Sequence, residues 1–138
     1  MKFIELKKRL FLCFLFMGGL VYSGFSNGIT NNTVEAERLR AEQLERKCHG
    51  GEIKTCEYAG WSYENGVGFK QDYFQAFTLY KKACDGDYGD SCLSLGLMYW
   101  KGRGVSQDVE KALFFTKKAC DLKVMDACFL YEDIKNQK

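Results

Sequence analysis

Six of the seven cysteines fall into three pairs, Cys48 and Cys56, Cys84 and Cys92, Cys120 and Cys128. The members of each pair are eight residues apart, and each pair starts 36 residues after the last. A chain with that rhythm is a stack of equivalent units, each contacting its neighbours, rather than one irregular core. Laid without a gap over residues 84–119, residues 48–83 match at 13 of 36 positions. Gly50 meets Gly86, Gly60 meets Gly96 and Tyr63 meets Tyr99. Gly66 and Gly68 meet Gly102 and Gly104, and Gln71-Asp72 meets Gln107-Asp108. Ala76 meets Ala112, and Lys81-Lys82-Ala83 meets Lys117-Lys118-Ala119.

Each unit reads as two helices. Cys56, Ala59, Gly60 and Tyr63 keep the i, i+3, i+4, i+7 spacing of one helix face, as do Cys92, Leu95, Gly96 and Tyr99. Gly66 and Gly102 stand where a first-type helix ends. Asp72 and Asp108 stand where an N-cap carboxylate would accept the free backbone N–H groups of a second-type helix. Those second helices run through Ala76, Phe77, Tyr80 and Ala83, and through Ala112, Leu113, Thr116 and Ala119. A mid-helix glycine costs about 1 kcal/mol against alanine, so its return at Gly60 and Gly96 implies a close approach of two backbones. Upstream, residues 33–48 supply a half unit, with Ala36, Leu39, Gln43, Leu44 and Cys48 as its stripe. Downstream, Asp126 to Lys135 supplies a last first-type helix. There Glu132 replaces the helix glycine and Lys135 the tyrosine, a polar face suited to closing the array.

The first residues have the order of a secretory signal peptide. Lys2, Lys7, Lys8 and Arg9 precede an apolar run from Leu10 to Tyr22, and small residues follow at Ser23, Gly24 and Ser26. The run is shorter than the roughly 20 residues a membrane span needs. The expected division is a signal peptide over 1–26, cut after Ser23 or Ser26, a linker over 27–34, and a repeat domain over 35–138. Cys13 leaves with the leader, and an even number of cysteines in an exported chain favours disulfides. The leader also carries the charge excess: without it the 20 Lys/Arg and 18 Asp/Glu become 16 and 17. No basic patch remains for nucleic acid, and no membrane contact is expected after cleavage.

In each pair one cysteine ends a second-type helix and the other begins the next first-type helix, so a bond between them would staple an antiparallel hairpin. Six cysteines allow many connectivities, but equivalent positions in a repeat argue for equivalent bonds: 48–56, 84–92 and 120–128. Each nine-residue loop would contribute about 2.6 kcal/mol on the chain-entropy estimate. Metal binding is the rival reading, yet the pair spacing is unlike the roughly two to four residues of zinc motifs, and His49 is the one histidine. Free thiols are the other alternative. No metal and no cofactor is expected.

Ala-Phe-Thr-Leu-Tyr-Lys-Lys-Ala-Cys over 76–84 and Tyr63-x-x-Gly66-x-Gly68, in a 36-residue period, resemble the Sel-one-like repeat, a relative of the tetratricopeptide repeat. The paired cysteines and the leader resemble one branch, the Helicobacter cysteine-rich proteins, over residues 35–138. The resemblance implies an all-α fold: an α/α superhelical solenoid of about two and a half 36-residue helix–turn–helix repeats, each stapled by a disulfide. It also implies export, and an activity catalogued for that branch as penicillin binding or weak β-lactamase.

The residues supply little for that chemistry. No serine has a lysine three residues on, as the Ser-x-x-Lys of serine β-lactamases requires; Thr78 with Lys81 is the one match by a hydroxyl. Ser-Asp-Asn and Lys-Thr-Gly are absent. His49 beside Cys48 can be drawn as a Cys–His pair, although a solvated turn residue beside a bridged cysteine describes it as well. Catalytic residues are therefore unassigned. The candidate ligand-binding residues are Tyr58, Trp61, Met98 and Trp100, on the first-type helices that line the concave surface in tetratricopeptide-like folds. Burial against a neighbouring second-type helix is their alternative. Lys101 and Arg103 join them, as two cations among flexible glycines that could meet an anionic group or simply form a solvated turn. The expectation is a secreted or periplasmic scaffold binding a peptide, a protein or a peptidoglycan-derived fragment. A β-lactam-binding protein with weak hydrolase activity is the alternative.

Overall fold

The computed structural model describes residues 31–137. Contacts divide the chain into two units, Met1–Ala36 and Glu37–Lys138, and the repeats lie in the second. The expected signal peptide falls outside the described residues. Six helices and no strand occur among those described: α1 over 31–49, α2 (Ile53–Asn65), α3 (Tyr73–Asp85), α4 (Gly89–Lys101), α5 (Val109–Asp121) and α6 (Met125–Asn136). α2 packs on α3, α3 on α4, α4 on α5 and α5 on α6. The second unit is thus an α/α superhelical solenoid of about two and a half repeats. Residues 31–34 of the expected linker are helical, because neither glycine nor proline interrupts residues 31–49.

The matched residues each have a structural task. Gly66 and Gly102 end α2 and α4 at φ 69° and 65°, in the left-handed region where a side chain is strained. Gln71 Nε2 donates to the Glu64 carbonyl (2.7 Å) and Gln107 Nε2 to that of Trp100 (2.8 Å), satisfying free acceptors at the helix ends. Asp72 accepts from the Phe74 and Gln75 amides, and Asp108 from the Lys111 amide. The Gln-Asp pair therefore closes one helix and opens the next.

The two lysines of each Lys-Lys pair have separate tasks. Lys81 and Lys117 bridge to Asp85 and Asp121 one turn on, each at 2.8 Å. Lys82 donates to the Cys48 carbonyl and Lys118 to the Cys84 carbonyl, each at 2.8 Å across 34 residues. Each second-type helix thereby sends a cation to the C-terminal end of the one before it, where the helix dipole is negative.

The helix glycines mark close packing, but the expected approach of two backbones occurs at Gly96 alone, since at Gly60 the neighbour is a side chain. A Cβ on Gly60 would lie 2.9 Å from the Tyr80 ring, and one on Gly96 would lie 2.5 Å from Thr116 Cγ2 and 3.3 Å from the Thr116 amide nitrogen. The disulfides join Cys48 to Cys56, Cys84 to Cys92 and Cys120 to Cys128, with Cα atoms 4.6, 4.8 and 4.7 Å apart. The first two are fully buried, each at the centre of an apolar cluster. Ala59, Leu79 and Ala83 surround the first. Larger side chains, Tyr80, Leu95 and Met98, surround the second.

Two expected faces differ. In α1 the stripe expected through Ala36, Leu39, Gln43, Leu44 and Cys48 is displaced: Leu39 is 52% exposed, while Ala41 is buried. The cause is Gly68 of the α2–α3 loop, where a Cβ would meet the Glu37 carbonyl oxygen at 2.5 Å and Ala41 Cβ at 2.7 Å. The loop therefore covers a face centred on Ala41. In α6, Glu132 and Lys135 are exposed and pair at 3.5 Å, but the helix is not polar throughout. Met125 and Phe129 also face outward, beside the exposed Asp126 of the first turn.

Candidate functional site

A groove of about 530 Å³ opens between α1 and α2, within the size range of small-ligand pockets. α1 contributes Glu37, Arg40, Ala41 and Leu44. α2 contributes Tyr58, Trp61 and Ser62, and Val67 joins them from the following loop. Helical spacing explains both walls. Arg40, Ala41 and Leu44 follow Glu37 by three, four and seven residues on one face, and Trp61 and Ser62 follow Tyr58 by three and four. Ala41 and Ser62 are buried in the floor, and the Ser62 hydroxyl donates to the Tyr58 carbonyl (3.0 Å). Tyr58 and Trp61 are 46% and 48% exposed. Two half-exposed aromatics over an apolar floor can stack on a ligand's apolar part.

Arg40 supplies the cation of the groove. Its neighbours Arg38 and Arg46 both pair with Glu42, and no carboxylate among the described residues pairs with Arg40. Beside the groove, Tyr63 stacks on Phe69 at 4.2 Å and donates to Glu45 Oε1 (3.2 Å). Burial, with the Glu45 carboxylate second, holds the Tyr63 phenol above its ordinary range. Elsewhere on α2, Glu64 accepts the Tyr80 hydroxyl at 2.8 Å, and burial with that carboxylate raises the Tyr80 phenol as well. Glu57 is pushed up by burial first and by Asp90 second, with Lys54 opposing.

The sequence candidates separate into three groups. Tyr58 and Trp61 come together in the groove. Met98 is 1% exposed and belongs to the core around Cys84–Cys92, so it is no part of a surface. The helical stripe drawn through Cys92, Leu95, Gly96 and Tyr99 was too narrow, since the buried face of α4 extends to Met98. Trp100, Lys101 and Arg103 lie outside the groove. The Trp100 carbonyl accepts from Gln107, and the Arg103 guanidinium lies over the Tyr73 ring at 5.9 Å. The loop of Lys101 and Arg103 thus uses one of its cations internally.

The α1 half of the site was missed. Its signal was present as a departure from the repeat: Ala41 stands where the next unit has Phe77, as Ser62 on α2 stands where it has Met98.

The residues weighed for hydrolysis are otherwise engaged. The Thr78 hydroxyl donates to the Phe74 carbonyl (3.0 Å), and Lys81 pairs with Asp85. His49 is 67% exposed, 4.0 Å from Glu45, and the Cys48 sulfur is in a disulfide. No helix among the described residues is long and apolar enough to cross a membrane.

Comparison with known proteins agrees with this architecture. Helicobacter pylori cysteine rich protein B superposes with a TM-score of 0.62 at 28% identity, covering 75% of this chain and 92% of that one. A Sel1 repeat protein from Oxalobacter formigenes superposes with a TM-score of 0.63 at 21% identity, covering 65% of this chain and 37% of that one, and so speaks to the fold alone. A protective antigen of uropathogenic Escherichia coli with an SLR fold gives a TM-score of 0.60 at 33% identity. It covers 63% of this chain, which spans 19% of that protein. No curated protein matches by sequence. The Sel1 repeat itself matches twice in succession, over residues 55–88 and 89–124, just over half of the chain. The chain belongs to the Sel1 repeat family, a scaffold fold consistent with a protein-interaction role.

Proposed function

We propose that this chain is an exported binding scaffold that holds a peptide segment of another protein, or of a cell-wall fragment, in the α1–α2 groove. Residues 1–26 act as its signal peptide and 35–138 as its working domain. Three disulfides suit the oxidising conditions of the periplasm or the medium. The observation that carries the reading is the pair Tyr58 and Trp61, half exposed along a groove of about 530 Å³ that Ala41, Leu44 and Val67 also line. Exposed apolar side chains gathered in one concave patch, unlike single ones scattered over a surface, are a mark of binding sites.

The test is photo-crosslinking in envelope extract and with peptidoglycan fragments. A benzoylphenylalanine at position 61 should capture a discrete partner that the same group at position 74, on exposed Phe74, does not. Equal capture from both positions would remove the groove as the binding site. The alternative, β-lactam binding with weak hydrolysis, finds no assembled nucleophile among the described residues. Turnover of a chromogenic cephalosporin with saturating kinetics by the oxidised protein would restore it.

A further inference from the structure

The groove has a template within the same molecule. One period on, Ala41 corresponds to Phe77, Ser62 to Met98, Glu37 to Tyr73 and Val67 to Arg103. In that second unit Met98 is buried, Tyr73 and Phe77 pack on the same cluster, and Arg103 lies over Tyr73. The scaffold around both places is alike. A loop glycine presses on the second-type helix in each: a Cβ on Gly68 would meet the Glu37 carbonyl oxygen at 2.5 Å, and one on Gly104 that of Tyr73 at 2.5 Å. The second unit therefore carries Phe77 and Met98 where the first has the small Ala41 and Ser62, while its Ser94 and Leu97 stand where the first has Tyr58 and Trp61.

We infer that the groove is completed by a peptide carrying a large apolar side chain, aromatic or branched, with one carboxylate beside it. The apolar side chain lies in the groove against Tyr58, Trp61 and Leu44, at whose buried base Ala41 and Ser62 stand where the second unit has Phe77 and Met98. The carboxylate meets Arg40, whose guanidinium has no ion-pair partner among the described residues and whose counterpart in the second unit is Ala76. Glu37, three residues away and also lining the groove, disfavours a ligand of uniformly negative charge. A single acid next to an apolar anchor is what the two charges admit. The inference rests on the reading of this groove as a peptide site and adds its specificity.

The probe is a blocked hexapeptide with a central Phe-Asp, followed through Trp61 emission in a Trp100→Phe background. The peptide should perturb Trp61 saturably. Replacing its Phe with Ala should weaken binding at least about tenfold, the worth of burying one large side chain. Replacing its Asp with Lys should weaken it by up to about fivefold, the range of a solvent-facing ion pair. Arg40→Glu should reverse the order of the Asp and Lys peptides, which a merely structural role for Arg40 would not do. Ala41→Phe with Ser62→Met imports the second unit's side chains and should abolish binding with helix content kept. If that pair fails to fold, Ser62→Met alone should weaken binding.

Equal binding of the Asp and Lys peptides by the unmodified groove would overturn the inference. If crosslinking from position 61 still vanished on filling the groove, the site itself would stand. Crosslinking and peptide binding both indifferent to filling would overturn the inference and the site together.

Discussion

The first and second repeats share their hinges and differ in their fillings. Both end a first-type helix on a left-handed glycine, close it with a glutamine and open the next helix with an aspartate. Both tie a lysine back to the carbonyl of an earlier cysteine. Between those fixed points, the α3–α4 face carries Tyr73, Phe77 and Met98, whereas the α1–α2 face carries Glu37, Ala41 and Ser62. Caps, bridges and backbone contacts determine where the helices go, and large side chains only determine whether the space between them is occupied. All eight residues that line the groove differ from their counterparts one period on, so a repeat protein can keep its frame while the filling between its helices changes throughout.

The largest effect should come from removing what both repeats share. Each nine-residue disulfide loop contributes about 2.6 kcal/mol, so reduction of all three should cost up to about 8 kcal/mol, less whatever structure the reduced unfolded chain retains. Melting followed by circular dichroism, with and without reductant, measures this. A transition that does not move would mean that the helices pack well enough without the bonds.

Next comes the filling. Met98→Ala should destabilise by about 2–5 kcal/mol, as buried large-to-small changes do. Ser62→Ala at the corresponding position should cost less than about 1.5 kcal/mol, since it removes one hydroxyl bonded to the Tyr58 carbonyl. Similar costs in urea titrations would erase the distinction between a filled and an open face.

The close approaches give a smaller, graded effect. Alanine in a helix gains about 1 kcal/mol over glycine, but Gly96→Ala would press on Thr116, including its backbone nitrogen. Its net cost should be about 1–3 kcal/mol. Gly60→Ala meets only the Tyr80 ring and should cost less, because a ring can yield where backbone cannot. The reverse order would mean that α2 and α3 are held together more rigidly than α4 and α5.

The smallest effect is a pH dependence at the cap of α5. The Lys111 amide bonded to Asp108 lowers its pKa below the ordinary aspartate value, and the Lys111 ammonium lowers it further. A carboxylate depressed in the folded state adds stability above its unfolded pKa and loses it as pH falls through the folded pKa. Melting temperatures of Asp108→Asn and the unmodified protein should therefore converge in acid and separate towards neutrality. Curves that stay parallel would deny the cap its charge.

The frame was legible because it rests on local rules with fixed periods. The spacing of the cysteines, the glycines that end helices and the capping aspartates each state a backbone requirement in the sequence itself. The tasks of Gln71 and Lys82 were not legible, although both positions repeat, because their partners lie 7 and 34 residues away. The groove was half legible. Tyr58 and Trp61 stood out as large side chains off the helix stripe, but its other wall is made of ordinary charged and small residues on α1. Met98 was misplaced because a first-type helix is flanked by second-type helices of two units, which widens its buried face beyond a single stripe.

The most direct test of the account compares the two tryptophans. Trp61 borders the open face and Trp100 lies outside it, with its carbonyl held by Gln107. In single-tryptophan variants, Trp61→Phe and Trp100→Phe, acrylamide quenching is measured with and without the blocked Phe-Asp peptide. The account predicts that the peptide shields Trp61 and leaves Trp100 as accessible as before. Shielding of Trp100 with Trp61 unchanged would contradict it and move the binding surface to the second repeat.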